Sequence, residues 1–361
     1  MQARHRISLV AASLALALAG CSDGTGSSNG GNGGDGAKIY WIGSDYATGE
    51  LRAAVDGEAT DLALEVYQDS KVFSFDGKVF VLERAGADNI VRIDPAADTV
   101  MYQESLGAGA NPYDIVAADD STALVALNGA DKAVFVGIAD GKAKKSVKLD
   151  RFAATGGQAN PSAIAVVGGK AYVALERMAG YVADPVGMLA VIDLESRALV
   201  DSVKLDCVDP IDVEPFGGKL IVACKGTSSF DADYNETSNE DGKLLSVDPA
   251  TFDTVTLATE KNLKAKPSEL AAGDDLWVAL YRSFGDEPVA RLAIGKNELS
   301  VNVFDGVGDA FGGLSAKGDR LAVGDRAFGN EAVRVLDGDK IVETIGGEKG
   351  SLPPYSVTFL K

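Results

Sequence analysis

Seven positions spread along the chain hold the side chains best suited to chemistry. Ser44, Arg84, Asn128, Arg177, Lys225, Arg282 and Arg326 each end a seven-residue run of one pattern, and five of the seven are cationic. That bias stands out in a chain with 34 Lys and Arg against 53 Asp and Glu. Guanidinium groups brought together suit a carboxylate or phosphate through paired hydrogen bonds. The same groups also suit ion pairs between neighbouring elements, with Glu83, Glu176, Asp325 or Asp286 as partners. Both readings stay open from sequence. Tyr46, Tyr181, Phe230, Tyr234, Tyr281, Phe284 and Phe328 lie at or just beyond the same run ends and offer stacking area to a ligand or partner.

Other chemistries are narrowed or excluded. Asp231, Asp233 and Asn235 have the spacing that opens an EF-hand loop. The sixth position is Glu236 where that loop needs glycine, and the twelfth is Gly242 where it needs glutamate. An irregular calcium site or a solvated acidic loop are the two readings. No other cofactor is expected. The single histidine is His5, inside a segment expected to be removed. Ser-His-Asp and Cys-His catalysis are therefore excluded, as are histidine-ligated zinc, copper and haem. Two cysteines follow Cys21: Cys207 and Cys224. In an oxidising compartment they read as a disulfide or as two buried thiols.

The elements that must position these side chains appear as an internal repeat. The recurring run reads KIYWIGS (38–44), KVFVLER (78–84), TALVALN (122–128), AYVALER (171–177), KLIVACK (219–225), LWVALYR (276–282) and RLAVGDR (320–326). These are β-rich apolar stretches of the kind buried on both faces. All but the first follow another short run and a tight turn, as in KVFSFDG (71–77) or DVEPFGG (212–218). A variable loop and a third run come next, as in NIVRIDP (89–95), and a more polar fourth run closes most units. Four antiparallel strands per unit and a period of about 45 residues predict a seven-bladed β-propeller over 37–361. The first unit lacks its opening strand. SVTFLK (356–361) matches that pattern, so pairing it with 38–44 would close the ring and hide the sheet edges.

The unit LAVIDLESRALVDSVKLDCVDPIDVEPFGGKLIVAC (189–224) resembles the YVTN family of propeller repeats. That family includes surface lipoproteins that capture vitamin B12-type corrinoids. Where the family carries its Tyr-Val-Thr-Asn tetrad, this chain has Leu-Glu-Arg or Leu-Tyr-Arg.

The N-terminus supplies the expected location. Arg4 and Arg6 precede the apolar stretch ISLVAASLALALAG (7–20), which ends at Cys21. This is the pattern of a secretory signal peptide. Leu18-Ala19-Gly20-Cys21 resembles the bacterial lipobox, which implies removal of residues 1–20 and a diacylglyceryl on Cys21. Residues 22–36 are Gly, Ser, Asn, Asp and Thr only, a tether of roughly 20 Å root-mean-square reach. Ser22 does not resemble the aspartate that retains enteric lipoproteins in the inner membrane, so the outer membrane is expected in a Gram-negative cell. No later apolar run reaches about 18 residues. Without residues 1–20 the chain keeps 32 cations against 53 carboxylates, a balance of −21. That argues against nucleic acid and anionic lipid as partners.

The functional expectation is a non-enzymatic lipid-anchored binding protein. It takes a small anionic or polar ligand, a glycan or an envelope protein on the loop face. Arg84, Arg177, Lys225, Arg282, Arg326, Tyr46, Tyr181 and Tyr281 are the candidate contacts. The alternatives are a calcium-dependent hydrolase or lactonase and a scaffold subunit of an outer-membrane complex.

Overall fold

The repeat folds as its pattern requires. A computed structural model describes residues 37–232, 236–295, 299–347 and 350–361. Cys21, Asp233, Tyr234 and Asn235 lie outside the described residues. All seven runs form strands, from Lys38–Ser44 and Lys78–Glu83 to Leu276–Tyr281 and Arg320–Asp325. Each is the second strand of a four-stranded antiparallel blade. The innermost strands are Pro354–Phe359, Ser70–Phe75, Pro112–Ala117, Pro161–Val167, Pro210–Phe216, Lys266–Ala272 and Leu314–Lys317, in blades one to seven.

The closing strand comes from the far end of the chain. Pro354–Phe359 pairs antiparallel with Lys38–Ser44, with Ile39 opposite Phe359 and Trp41 opposite Val357. Blade one is the irregular one: its outer edge is split between Glu58–Ala59 and Leu64–Val66.

The core lies between blades. Second strands are buried on both faces because each face meets a different neighbour. In blade four Tyr172 and Ala174 pack towards blade five, while Ala171, Val173 and Leu175 pack towards blade three. Seven such clusters exist, one for each junction of the ring, and the last joins Ala322, Val333 and Val335 of blade seven to Ile39, Trp41 and Phe359 of blade one.

Polar side chains of the inner strands also bind the backbone of the next blade. Asp114 accepts from the Ile164 amide at 2.6 Å, Asp212 from Leu270 at 2.7 Å, Glu269 from Leu314 at 3.1 Å and Ser356 from Val72 at 3.0 Å. The structure joins Cys207, just ahead of blade five, to Cys224 at the end of that blade's second strand. Among the described residues no helix is long and apolar enough to cross a membrane.

Phe359 is fully buried in the junction of blades seven and one, as Phe80 is in that of blades two and three. Phe359→Ala should therefore cost about 3–5 kcal/mol, as much as Phe80→Ala. Denaturant unfolding measures both, and a cost near zero for Phe359→Ala would show that the last strand does not close the ring.

Candidate binding site on the loop face

Alternation of strand direction sorts the connections by face. Hairpins between first and second strands lie on one face. Loops after the second strands, and the links between blades, lie on the other. The seven run ends therefore open onto this loop face, where the structure gives most of them internal partners. Arg84 is buried and pairs with Asp69, its Nε donating at 3.0 Å. Its other nitrogen donates to the Tyr355 hydroxyl at 3.0 Å, and its guanidinium lies over the Tyr113 ring. Arg177 forms a two-pronged pair with Asp184, at 3.0 Å on each prong, and donates to the Phe152 carbonyl at 2.7 Å. Arg326 donates to the carbonyls of Ser44, Pro353 and Pro354 and stacks against Tyr46 and Tyr355.

The ring of cations thus stitches the loop face together, and among the described residues no cluster of open guanidinium groups forms. The partners differ from most of those expected. Glu83 accepts from Tyr67, Asn89 and Gln103, and Asp325 pairs with Arg334. Glu176 takes a long bond from Asn128. Only the Arg282–Asp286 pair, at 3.6 Å, is as the sequence suggested, and it is exposed. Lys225 lies over the Tyr281 ring, whose hydroxyl donates to Glu236 at 2.6 Å. Tyr281 is therefore a wall residue and not a free contact.

Two loops fold into ribbons of their own: Met178–Ala179 with Val182–Ala183, and Ser228–Phe230 with Glu236–Ser238. They flank a cleft of about 520 Å³ between blades four and five. Tyr181, Val182 and Phe230 line it and are exposed, and Asp209, Lys225 and Lys266 also line it. Lys266 is buried; it contacts Ser228, donates to the Thr227 carbonyl at 3.1 Å and pairs with Glu236 at 3.4 Å. A second cleft of about 550 Å³ lies on the other side of the blade-five loop, bordered by Glu240, Glu260, Lys261 and Arg282.

Residues that open the inner strands complete the site, and sequence reasoning passed over them. Asn111, Asn160 and Asp209 each precede a proline and hold a positive φ. This repeated Asx-Pro step was the available signal. Asn111 accepts from the Ala85 amide and Asn160 from the Met178 amide, both at 3.1 Å. The Asp209 Oδ1 is buried and has no hydrogen-bond partner among the described residues.

Burial raises the proton affinity of several carboxyls here. Glu176 is pushed up to about 8, by burial and then by the Asp209 charge. Asp209 rises to about 6 through burial, against the pull of Lys225 and Lys266. Glu287, which takes the Ser268 hydroxyl, rises to about 7 through burial. Deeper in the channel, burial and then the Glu269 charge lift Asp212 to about 7. Among the described residues no group of three or more His, Cys, Asp or Glu is arranged to hold a metal ion. Of the expected calcium ligands only Asp231 is described.

No family model matches the chain, and no curated protein matches it. The resemblance to YVTN repeats therefore rests on the unit 189–224. Solved structures of similar fold do exist. Hydrazine synthase from Kuenenia stuttgartiensis is 18% identical with a TM-score of 0.55, covering 76% of this chain and 79% of that one. A catalytically inactive histidine-to-alanine variant of virginiamycin B lyase from Staphylococcus aureus, solved with quinupristin, is 15% identical with a TM-score of 0.55, over 86% and 95%. Apo AztD from Citrobacter koseri is 13% identical with a TM-score of 0.52, over 90% and 98%. At these identities the likeness shows the propeller fold.

Two outcomes follow from the site. Arg177→Ala strands the Asp184 carboxylate and the Phe152 carbonyl, so it should cost about 2–4 kcal/mol. Arg282→Ala should stay within about 0.5 kcal/mol, because its pair is solvated. Denaturant unfolding separates the two, and equal costs would contradict the assignment of Arg177 to the framework.

The raised carboxyls hold their protons more tightly in the folded chain than in the unfolded one. Their contribution is fully present below about pH 4 and is lost as pH rises towards about 8. The melting temperature should therefore be higher at about pH 5.5 than at about pH 8, and Glu176→Gln should flatten that slope. Thermal melts across this range check it; a slope unchanged by Glu176→Gln would count against a protonated Glu176.

Proposed function

We propose that the chain is a lipid-anchored binding protein of the bacterial envelope, which takes a polar ligand or partner on the loop face of its propeller. The cleft between the loops of blades four and five carries this reading. It combines an apolar, aromatic rim at Tyr181, Val182 and Phe230 with charged groups at Asp209, Lys225 and Lys266. Concave sites of this size, largely apolar with a few placed polar groups, are the usual form of a small-ligand site.

The non-enzymatic part rests on the side chains at hand. The Staphylococcus aureus lyase variant is inactive with one histidine replaced, and residues 37–361 of this chain contain no histidine. Lys266, the cation nearest the Ser228 hydroxyl, is ion-paired to Glu236 and so acts as a donor there.

The anchor rests on the lipobox-like Leu18-Ala19-Gly20-Cys21. The described chain enters the ring at Lys38, whose amine bonds Asp98 and the Pro95 carbonyl in a turn on the hairpin face. Two acyl chains or more would hold such a protein stably.

Palmitate labelling in cells should be lost in Cys21→Ser and kept in Tyr181→Ala/Phe230→Ala. Native mass spectrometry of the full chain from its own host should show a bound species that the double variant loses. Labelling that survives Cys21→Ser sinks the anchor. A bound species indifferent to Tyr181 and Phe230, or none at all, sinks the cleft.

A further inference from the structure

The loop face carries a repeated feature that the cleft alone does not use. Five consecutive blades place an exposed aromatic in the loop after the second strand: Tyr181, Phe230, Phe284, Phe328 and, across the closure, Tyr46. Tyr181, Phe284 and Phe328 stand at 102%, 95% and 99% exposure, so these rings contribute nothing to the propeller's own core. Large apolar side chains left in water on one arc of one face mark a surface that another molecule covers. An arc that crosses five of the seven blades is wider than a small ligand can touch.

The charge beside the arc is mixed, with Lys225 and Lys266 in the cleft and Arg282 beside Phe284, but carboxylates outnumber these cations. The cations of the run ends are largely taken: Arg84 by Asp69, Arg177 by Asp184, Arg326 by three carbonyls. Each aromatic has a carboxylate within three positions in sequence: Asp45, Asp184, Asp231, Asp286 and Glu331, of which Asp184 and Asp286 are paired with Arg177 and Arg282. Among described residues the blade-five loop alone holds Asp231, Glu236, Glu240 and Asp241 against Lys225. Lining the cleft between the first two aromatics, Asp209 keeps a carboxylate oxygen that no donor among the described residues reaches. Its counterparts Asn111 and Asn160 have their side-chain oxygens satisfied.

From the exposed aromatic arc, its carboxylates and the unpaired oxygen of Asp209, we infer that the loop face docks an arginine-rich or lysine-rich segment of another protein. One cationic side chain enters the cleft between Tyr181 and Phe230 and donates to Asp209. A guanidinium or ammonium group between aromatic rings gains cation–π attraction while the carboxylate supplies the charged hydrogen bond. The segment's other cations face the acidic loop, where the chain's net negative charge also speeds encounter. The inference rests on the loop-face reading above and gives the partner its chemistry.

The test uses the full chain in neutral detergent and a fluorescein-labelled peptide of alternating glycine and arginine. Its controls are the same peptide with citrulline for arginine and neutral phosphatidylcholine vesicles. Anisotropy should show binding of the arginine peptide, weakening with salt, and little binding of the citrulline peptide. Asp209→Asn and Tyr181→Ala/Phe230→Ala should each weaken it by about ten-fold, with melting temperatures recorded to show that both variants fold. Asp76→Asn removes the same charge from a hairpin turn on the opposite face and should change affinity by less than about two-fold.

Equal weakening by Asp76→Asn would overturn the inference in favour of diffuse attraction. So would equal binding of the citrulline peptide, or vesicle binding that depends on Tyr181 and Phe230. A Tyr181-dependent species in native mass spectrometry with no affinity for the arginine peptide would leave the loop-face function standing and sink this inference alone.

Discussion

A blade of this propeller covers neither of its own faces. Its second strand buries side chains alternately towards the blade before it and the blade after it, so every core cluster belongs to two blades. Burying a large apolar side chain is worth roughly 1.5–3 kcal/mol, and that gain exists only where a neighbour is present. Seven junctions must therefore form, and the seventh requires the last strand to meet the first. The antiparallel register of Pro354–Phe359 on Lys38–Ser44 is the condition on which the other six depend for a complete ring.

The same condition explains the charge in the interior. Inner strands converge, and their backbone amides at the junctions need acceptors that the strand ladders do not supply. Asp114, Asp212, Glu269 and Ser356 supply them, each from one blade to the next. Carboxylates placed there lose solvent and crowd one another, which is why burial, then like charge, raises Asp212. The interior thus couples ring geometry to proton binding: the residues that fasten blades are among those that make stability fall with rising pH.

What could be read from sequence follows from this division. The second strands were legible because burial on both faces leaves an uninterrupted apolar run, as in TALVAL (122–127) or KLIVAC (219–224). Closure was legible because an opening strand was missing at one end and present at the other. Apart from Asp286 for Arg282, the partners of the arginines were not. Arg326 reaches Pro354, 28 positions away, and Arg84 reaches Tyr355, 271 positions away; both contacts exist only once the ring is closed. The ribbons 178–183 and 228–238 escaped for a different reason: they are short, and of their described residues only Ala183 is buried, so no periodic signal marks them. The Asx-Pro steps at 111, 160 and 209 were visible but had no role until the mouth of the channel was built around them.

The position of each charge along its blade then decides its use. At a strand end, held by the ladder and close to the neighbouring blade, an arginine meets acceptors at fixed distance and becomes framework, as Arg177 does with Asp184 and the Phe152 carbonyl. A few residues further on, at the loop tip, no neighbour is within reach, and side chains such as Phe284 and Phe328 remain in water. Repetition makes the strand ends look like a site because they recur in register. The loop tips vary in length and sequence from blade to blade, which hides the fact that five of them present the same chemistry to the same side. A regular signal in a repeat protein reports what holds the repeats together; the binding surface is found where the regularity stops.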